Sequence, residues 1–306
     1  MRTLLLAATA CGFIASAAAS AQTFTFTTLD NPGDPTFNQL LGINDGGTIV
    51  GYFGSGAQGH PNIGYEIAAP YTTYTSNMQP GSVQTQATGI NNAGLTTGFW
   101  APTNTGSDAN FGFVRQPTGN NFTFISATDP LVGGALVVDQ ALGINNNDVA
   151  AGFYNDANGV THPFTYNLST AAYTTFKIGG ATGVAATGIN DSNEVSGFYT
   201  TSKGSTYGFV RNMTGGVVTH FKVPGSSTTQ LLGINNAGVA VGFYAGSDMV
   251  PHGLYYTPST GAWTPVNDPN GVMGTVVNGV NNKGQLVGFY TDAAGNVHGM
   301  LVTVSQ

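Results

Sequence analysis

The sequence predicts an all-β fold: a six-bladed β-propeller with four strands per blade, its sixth blade closed by the N-terminal strand. Three observations predict it. One unit recurs six times at a spacing in the forties, each unit holds four strand signals, and the last copy lacks the fourth strand that stands instead at the start of the chain.

The copies begin at Gly42 (GINDGGTIVGYF), Gly89 (GINNAGLTTGFW), Gly143 (GINNNDVAAGFY), Gly188 (GINDSNEVSGFY), Gly233 (GINNAGVAVGFY) and Gly279 (GVNNKGQLVGFY), at intervals of 47, 54, 45, 45 and 46 residues. In each, an apolar run such as Leu231 to Asn235 meets a four-residue Asn/Gly turn and returns as a second run, Val239 to Tyr244. Asn and Gly accept the positive φ of such turns, so this reads as a tight hairpin. A third strand follows a looser polar stretch, at Phe111 to Arg115, Pro163 to Tyr166, Tyr207 to Arg211, Gly253 to Tyr256 and Gly299 to Val302. The fourth alternates and is aromatic: Tyr71 to Tyr74, Phe122 to Ile125, Tyr173 to Lys177, Val218 to Val223 and Trp263 to Val266. The sixth copy ends at Gln306 after its third strand. Thr23 to Asp30 runs into Asn31-Pro32-Gly33 just as Val218 to Val223 runs into Pro224-Gly225, so it supplies the missing strand. An open β-solenoid is the competing architecture, but it leaves that permuted strand unexplained. Ring closure makes residues 22–306 one domain, although length alone suggests two.

Composition agrees. The 306 residues include 45 Gly and 33 aromatics, with 41% hydrophobic and 7% charged residues, which excludes charge-driven disorder, coiled coil and collagen. Residues 1–21 read as a secretory signal peptide: Arg2, an apolar stretch from Leu4 to Ala18, and the small-x-small site Ala19-Ser20-Ala21. The apolar part is short for a membrane span, and Ala8 stands where a lipobox before Cys11 would carry Leu. Cleavage would remove the one Cys and leave six Lys+Arg against 14 Asp+Glu, a net charge of −8. With no basic cluster, neither nucleic acid nor an anionic membrane is an expected partner. The expected location is secreted, in the periplasm or the medium, and the expected state a monomer.

The Gly-Ile-Asn-Asn/Asp hairpin ending in Gly-Phe-Tyr, followed by His162-Pro163-Phe164, His252-Gly253-Leu254, His298-Gly299-Met300 and the looser Tyr207-Gly208-Phe209, resembles the bacterial extracellular HAF repeat family across essentially the whole mature chain. It departs from the family in having Gly or Pro for Ala, and two copies lack the His. The resemblance implies a secreted repeat protein with a propeller-like fold and transfers no catalytic residue.

Asn44, Asn91, Asn145, Asn190, Asn235 and Asn281 share one repeat position at the turn. An Asx hydrogen bond fixing each hairpin is the favoured role, against a ring of amides meeting a ligand. In the Phe/Tyr pairs that end the second strands, at least one ring should pack between blades. His60, His162, His252 and His298 share nearly one position. The third strand lies ~10 Å outside the innermost one, too far for neighbouring blades to deliver ligands at ~2 Å to a zinc ion. They read as blade-local hydrogen-bonding groups, with no metal and no cofactor expected. Asp156 and Asp292 read as turn residues.

There is no carboxylate pair at glycosidase spacing, no Gly-x-Ser-x-Gly elbow, no His-Glu-x-x-His and no phosphate loop. The tight first-to-second turns contrast with longer, variable second-to-third and fourth-to-first connections, which share one rim. Binding usually sits on such variable loops over a rigid scaffold. The second unit deviates most, with Trp100 in place of Tyr beside Asp108, and Asp129 and Asp139 flanking its second long loop. These four residues are the candidate ligand contacts. The expected function is a non-catalytic binding or scaffold module for a surface glycan or protein. The alternative is an extracellular polysaccharide hydrolase or lyase with rim or channel carboxylates.

Overall fold

A computed structural model describes residues 22–104, 109–118, 121–125 and 138–305. All regular elements in these residues are strands. The first repeat holds β2 (Asn38–Ile43), β3 (Ile49–Phe53), β4 (Ile63–Ile67) and β5 (Tyr74–Ser76), and β1 (Thr23–Thr28) precedes it. The second holds β6 (Gln84–Ile90), β7 (Thr96–Ala101), β8 (Phe111–Arg115) and β9 (Phe122–Phe124); the third β10 (Val138–Ile144), β11 (Val149–Asn155), β12 (Thr161–Asn167) and β13 (Ala172–Thr175). Then come β14 (Ala181–Ile189), β15 (Glu194–Thr201), β16 (Thr206–Asn212) and β17 (Val218–Phe221); β18 (Thr228–Ile234), β19 (Ala240–Ala245), β20 (His252–Thr257) and β21 (Ala262–Pro265); and β22 (Thr275–Val280), β23 (Gln285–Thr291) and β24 (Val297–Ser305).

They form four four-stranded antiparallel sheets and one of eight strands. The larger sheet joins the fourth and fifth repeats through a single parallel pairing, Thr206 with Thr228. The same junction recurs as isolated parallel bridges at Phe37–Val297 and Asn110–Val138. It is therefore a one-pair contact between neighbouring units, and it joins two sheets at Thr206–Thr228 because both residues there lie within strands. β1 lies in the sheet of β22 to β24, pairing antiparallel from Thr23–Ser305 to Thr28–Met300. The permuted strand thus completes the last repeat, as its sequence position implies.

Some strand limits differ from the sequence reading. The outer strand of the first repeat begins at Tyr74 rather than Tyr71. Tyr71 has φ 63° and its N–H donates to Ala68 O, so the chain is still turning there.

Two glycine columns follow from one backbone irregularity. Every inner strand carries a β-bulge just before its Gly-Ile/Val, for example between Leu40 and Gly42 and between Val277 and Gly279. The bulge pushes a carbonyl towards the second strand, where a Cβ on Gly51, Gly98, Gly152, Gly197, Gly242 or Gly288 would overlap a carbonyl oxygen of the inner strand. On the axial side, a Cβ on Gly42 would come within 2.9 Å of the Gly89 Cα, and one on Gly89 within 3.1 Å of the Gly143 Cα. The inner strands can converge only because these positions lack side chains.

The core lies between sheets. One cluster joins Val239, Val241 and Tyr255 of the fifth repeat to Val277, Leu286 and Met300 of the sixth, with Phe24 and Phe26 of β1 packed against it. Burying each such side chain is worth roughly 1.5–3 kcal/mol.

Candidate functional site

The repeated Asn residues close the inner hairpins. In Asn235, Oδ1 accepts the N–H groups of Ala237 and Val239, both at 3.0 Å, and Nδ2 donates to Asn281 O at 3.1 Å. The side-chain amide therefore makes the turn and also reaches the next unit. The inter-unit bond recurs from Asn44 to Asn91, Asn91 to Asn145, Asn145 to Asn190, Asn190 to Asn235 and Asn281 to Asn44, each at 3.0 or 3.1 Å. The turn needs one positive φ, which Gly supplies in most copies and Asp148 and Asn193, both at 57°, in the other two.

A second ring lies one residue on, at Asp45, Asn92, Asn146, Asp191, Asn236 and Asn282. Each backbone N–H donates to the next unit's Oδ1, at 2.8–2.9 Å. Asp45 Oδ2 also accepts from the side chains of Asn92 and Asn282, and Asp191 Oδ2 from those of Asn146 and Asn236. Burial alone would raise both carboxyl pKa values, but these amide donors outweigh it and hold both below the usual carboxylate range. The axial hollow between the inner strands amounts to about 70 Å³ on this side and 80 Å³ at the other end, where Leu41, Leu142 and Leu232 alternate with Thr88, Thr187 and Asn278. Its polar atoms are spent on holding neighbours together.

The histidines divide. His162 and His252 bond Asp156 and Asp248 of the preceding loop at 3.0 and 3.3 Å and pack on Tyr154 and Tyr244. Asp156 Oδ1 meanwhile accepts the N–H groups of Asn158 and Val160, so one carboxylate shapes the loop and orients the ring. His298 does more, bridging Asp30 Oδ2 at 2.7 Å and Asp292 Oδ2 at 3.3 Å. Burial alone would lower its pKa, but the two carboxylates outweigh that and raise it. His60 does not share the position. Ile63 takes the register place opposite the second strand, and His60 sits in the loop before it, 64% exposed and 3.6 Å from Asp34.

Of the four candidate ligand contacts, Asp108 and Asp129 lie outside the described residues. Trp100 is half-buried, its ring 4.9 Å from that of Phe111, so it takes the place of the Tyr that packs on the third strand in other units. Asp139 is 1% exposed and faces the Gly112 backbone, which places it in the interior and not on the rim. Its repeat column explains this: Asn38, Thr85, Val184, Thr229 and Thr275 stand there in the other units and are all buried.

The rim nevertheless has a hollow beside Trp100, of about 190 Å³, lined by Asn62, Gln84, Thr85, Gln86, Phe99, Trp100, Ala101, Asn110 and Gln140. Two equivalent amide couples frame it. Gln86 Nε2 donates to Asn62 Oδ1 at 2.7 Å, and Gln140 Nε2 to Asn110 Oδ1 at 2.8 Å. Sequence reasoning missed these four residues because their opposition spans two units and appears only when third strands are aligned with the next unit's inner strand. Aligned by repeat, Gln opposite Asn occurs only at the junctions of the first with the second and the second with the third unit. The corresponding pairs elsewhere are Thr161/Ala185, Thr206/Gln230, Pro251/Val276 and Val297/Gln39.

Among the described residues no group of three His, Cys, Asp or Glu side chains is placed to hold a metal ion, and no helix is long and apolar enough to cross a membrane. No family model and no curated protein matches the sequence. Among solved structures, the chain is similar to a putative TolB from Agrobacterium tumefaciens, with 11% identity, a TM-score of 0.60, and coverage of 93% of this chain and 98% of that one. It is also similar to TolB from Acinetobacter baumannii, with 11% identity and a TM-score of 0.53, covering 89% of this chain. There it spans 65% of the other protein's length, just under two thirds. At this identity the likeness is one of fold, and it places the chain among propeller-like, all-β proteins.

Proposed function

We propose that this protein is an exported, closed six-bladed propeller of the HAF repeat type that acts as a non-catalytic binding module through its variable-loop rim. The observation that carries the binding reading is the division of labour among polar groups. The asparagines repeated in every unit are bonded to one another, while Asn62 and Asn110, which depart from their repeat column, meet Gln86 and Gln140 at a hollow on the rim of the second unit. Closure is supported by the bond from Asn281 to Asn44 and by β1 lying against β24. Export rests on the leader-like residues 1–21, which lie outside the described residues, and the target is a cell-surface glycan or protein. The hydrolase or lyase alternative finds less support. Where carboxylates approach one another among the described residues, at Asp45 and Asp191 and around His298, their oxygens are occupied by amides or by the imidazole.

The test is capture of surface material from whole cells and from a glycan array by the purified protein, with and without shortening of residues 103–108 and 127–137. Loss of capture on shortening, with the melting temperature kept, is the expected result. Unchanged capture would remove the rim of the second unit as the binding surface.

A further inference from the structure

We propose that the hollow beside Trp100 is a subsite for one neutral pyranose ring of a glycan; this rests on the rim-binding reading and names the ligand chemistry of that rim. The first argument is the lining. Five carboxamides, from Asn62, Gln84, Gln86, Asn110 and Gln140, surround the hollow with Thr85, Phe99 and Trp100, and among the described residues no ionisable side chain lines it. A carboxamide presents a donor and an acceptor side by side, which matches two adjacent hydroxyls that each give and take a hydrogen bond. An aromatic wall next to such groups suits the C–H face of a sugar ring. An anionic sugar finds no cation in this lining, and the chain as a whole carries a net charge of −7, so the ring is neutral.

The second argument is capacity. The couples Gln86–Asn62 and Gln140–Asn110 use the two glutamine NH2 groups, and among the described residues neither glutamine carbonyl oxygen has a hydrogen-bond partner. Asn62 is itself fixed, donating from Nδ2 to Gly54 O at 2.7 Å, with its backbone N–H on Gln84 Oε1 at 3.3 Å. The amide frame is thus held in place before a ligand arrives, which lowers the ordering cost of binding. At about 190 Å³ the hollow is smaller than the ~300–1,000 Å³ of sites for drug-sized ligands, so it accommodates a single ring.

The third argument is the broken symmetry. Turn, bulge and aromatic positions must serve every unit alike, and packing gives the second unit no reason for Gln–Asn couples on both its flanks. Elsewhere the couple is broken, by Thr in place of Asn at Thr206/Gln230, by one apolar partner at Thr161/Ala185 and Val297/Gln39 and by two at Pro251/Val276, and those junctions are formed all the same.

The experiment is a fluorescence titration of the full chain carrying Trp263→Phe, which leaves Trp100 as its one tryptophan, since the sequence holds two. The probes are methyl glucoside, galactoside, mannoside, fucoside and N-acetylglucosaminide, with methyl glucuronide as the charged control. At least one neutral glycoside is expected to change Trp100 emission saturably in the millimolar range, and the glucuronide to give no saturable change. Gln86→Leu and Gln140→Leu are each expected to weaken this binding at least tenfold, and the near-isosteric Gln140→Glu serves if a leucine variant does not fold. No saturable response to any neutral glycoside, or equal affinity in the variants, overturns the assignment. Whole-cell capture that survives both leucine substitutions also overturns the pocket while leaving the rim-binding reading standing, so the two ideas fail separately.

Discussion

The bridge from Asp30 through His298 to Asp292 should act as an electrostatic fastening on the strand that completes the last sheet, and the repeat supplies its own control. His298 and His252 occupy the same register position and pack on equivalent tyrosines, at 5.0 and 5.2 Å. They differ in their carboxylates. His298 is 18% exposed and contacts two, at 2.7 and 3.3 Å, whereas His252 is 32% exposed and contacts Asp248, itself 54% exposed, at 3.3 Å. Alanine at either position removes a comparable ring contact, so the difference isolates the charge-assisted bonds. Shielded bonds of this type are worth about 1.5–3 kcal/mol each, and an exposed pair contributes about 0–1 kcal/mol. Counting only the shorter bond to Asp30 and discounting it for partial solvent access, His298→Ala should cost about 1–2 kcal/mol more than His252→Ala, or about 2–4 °C in melting temperature for a chain of this size. The pH dependence gives a second readout. The fold raises the His298 pKa, so its contribution is complete below the unfolded value of about 6.5 and fades as pH rises through the native one. Asp292 works on the other limb. Burial would raise its pKa, but hydrogen bonds from Asn296, His298 and the loop backbone hold it at about 2, so its contribution is complete above about 4 and fades as pH falls towards 2. Thermal melts of both variants across pH 5–9 provide the assay. Equal losses for the two, or a gap between wild type and His298→Ala that widens with rising pH, would refute the reasoning.

Three further substitutions probe the scaffold by chemical denaturation. Asn235→Ala removes three hydrogen bonds and strands the N–H of Val239 in a buried place, while the Asn281 carbonyl keeps the N–H of Gly284, which should cost about 2–3 kcal/mol. Gly242→Ala forces a methyl into the Gln230 carbonyl and should destabilise by more than about 4 kcal/mol or prevent folding. Gly295→Ala, at φ 86° but with open space around it, should cost about 1 kcal/mol through backbone strain alone. Deleting residues 22–28 bares the β24 edge and uncovers the cluster on which Phe24 and Phe26 pack, so the product should self-associate in size-exclusion chromatography.

The architecture was legible in the sequence where a property had to recur. The Asn/Gly turn, the Gly before the aromatic pair and the alternating outer strand appear in copy after copy because each unit meets the same steric demands. The N-terminal strand could be placed because a missing element and a spare one had matching flanks, at Pro224-Gly225 and Pro32-Gly33. What went astray was individual placement. Asp139 looked like a rim acid because an isolated Asp beside a long loop suggests exposure, yet its column is the buried one beginning with Asn38. His60 is three residues short of its expected register, which only the pairing of Phe53 with Ile63 reveals.

The scarcity of charge takes on a physical meaning once the amide rings are seen. Contacts between units in a ring need directional bonds that fix register without carrying net charge into a crowded axis. Asn supplies both a donor and an acceptor on a short side chain, and here it bonds its own turn with one atom and the neighbouring unit with the other. Charge enters the second ring only at Asp45 and Asp191, in the first and fourth copies, so that each carboxylate lies between two asparagine donors and the two are separated by a pair of amides on either side. A third carboxylate in this ring would stand beside one of them, removing a donor and adding like-charge repulsion. The same economy applies at the rim. There carboxamides also meet one another across unit junctions, Gln86 with Asn62 and Gln140 with Asn110, and the proposed sugar subsite rests on that frame.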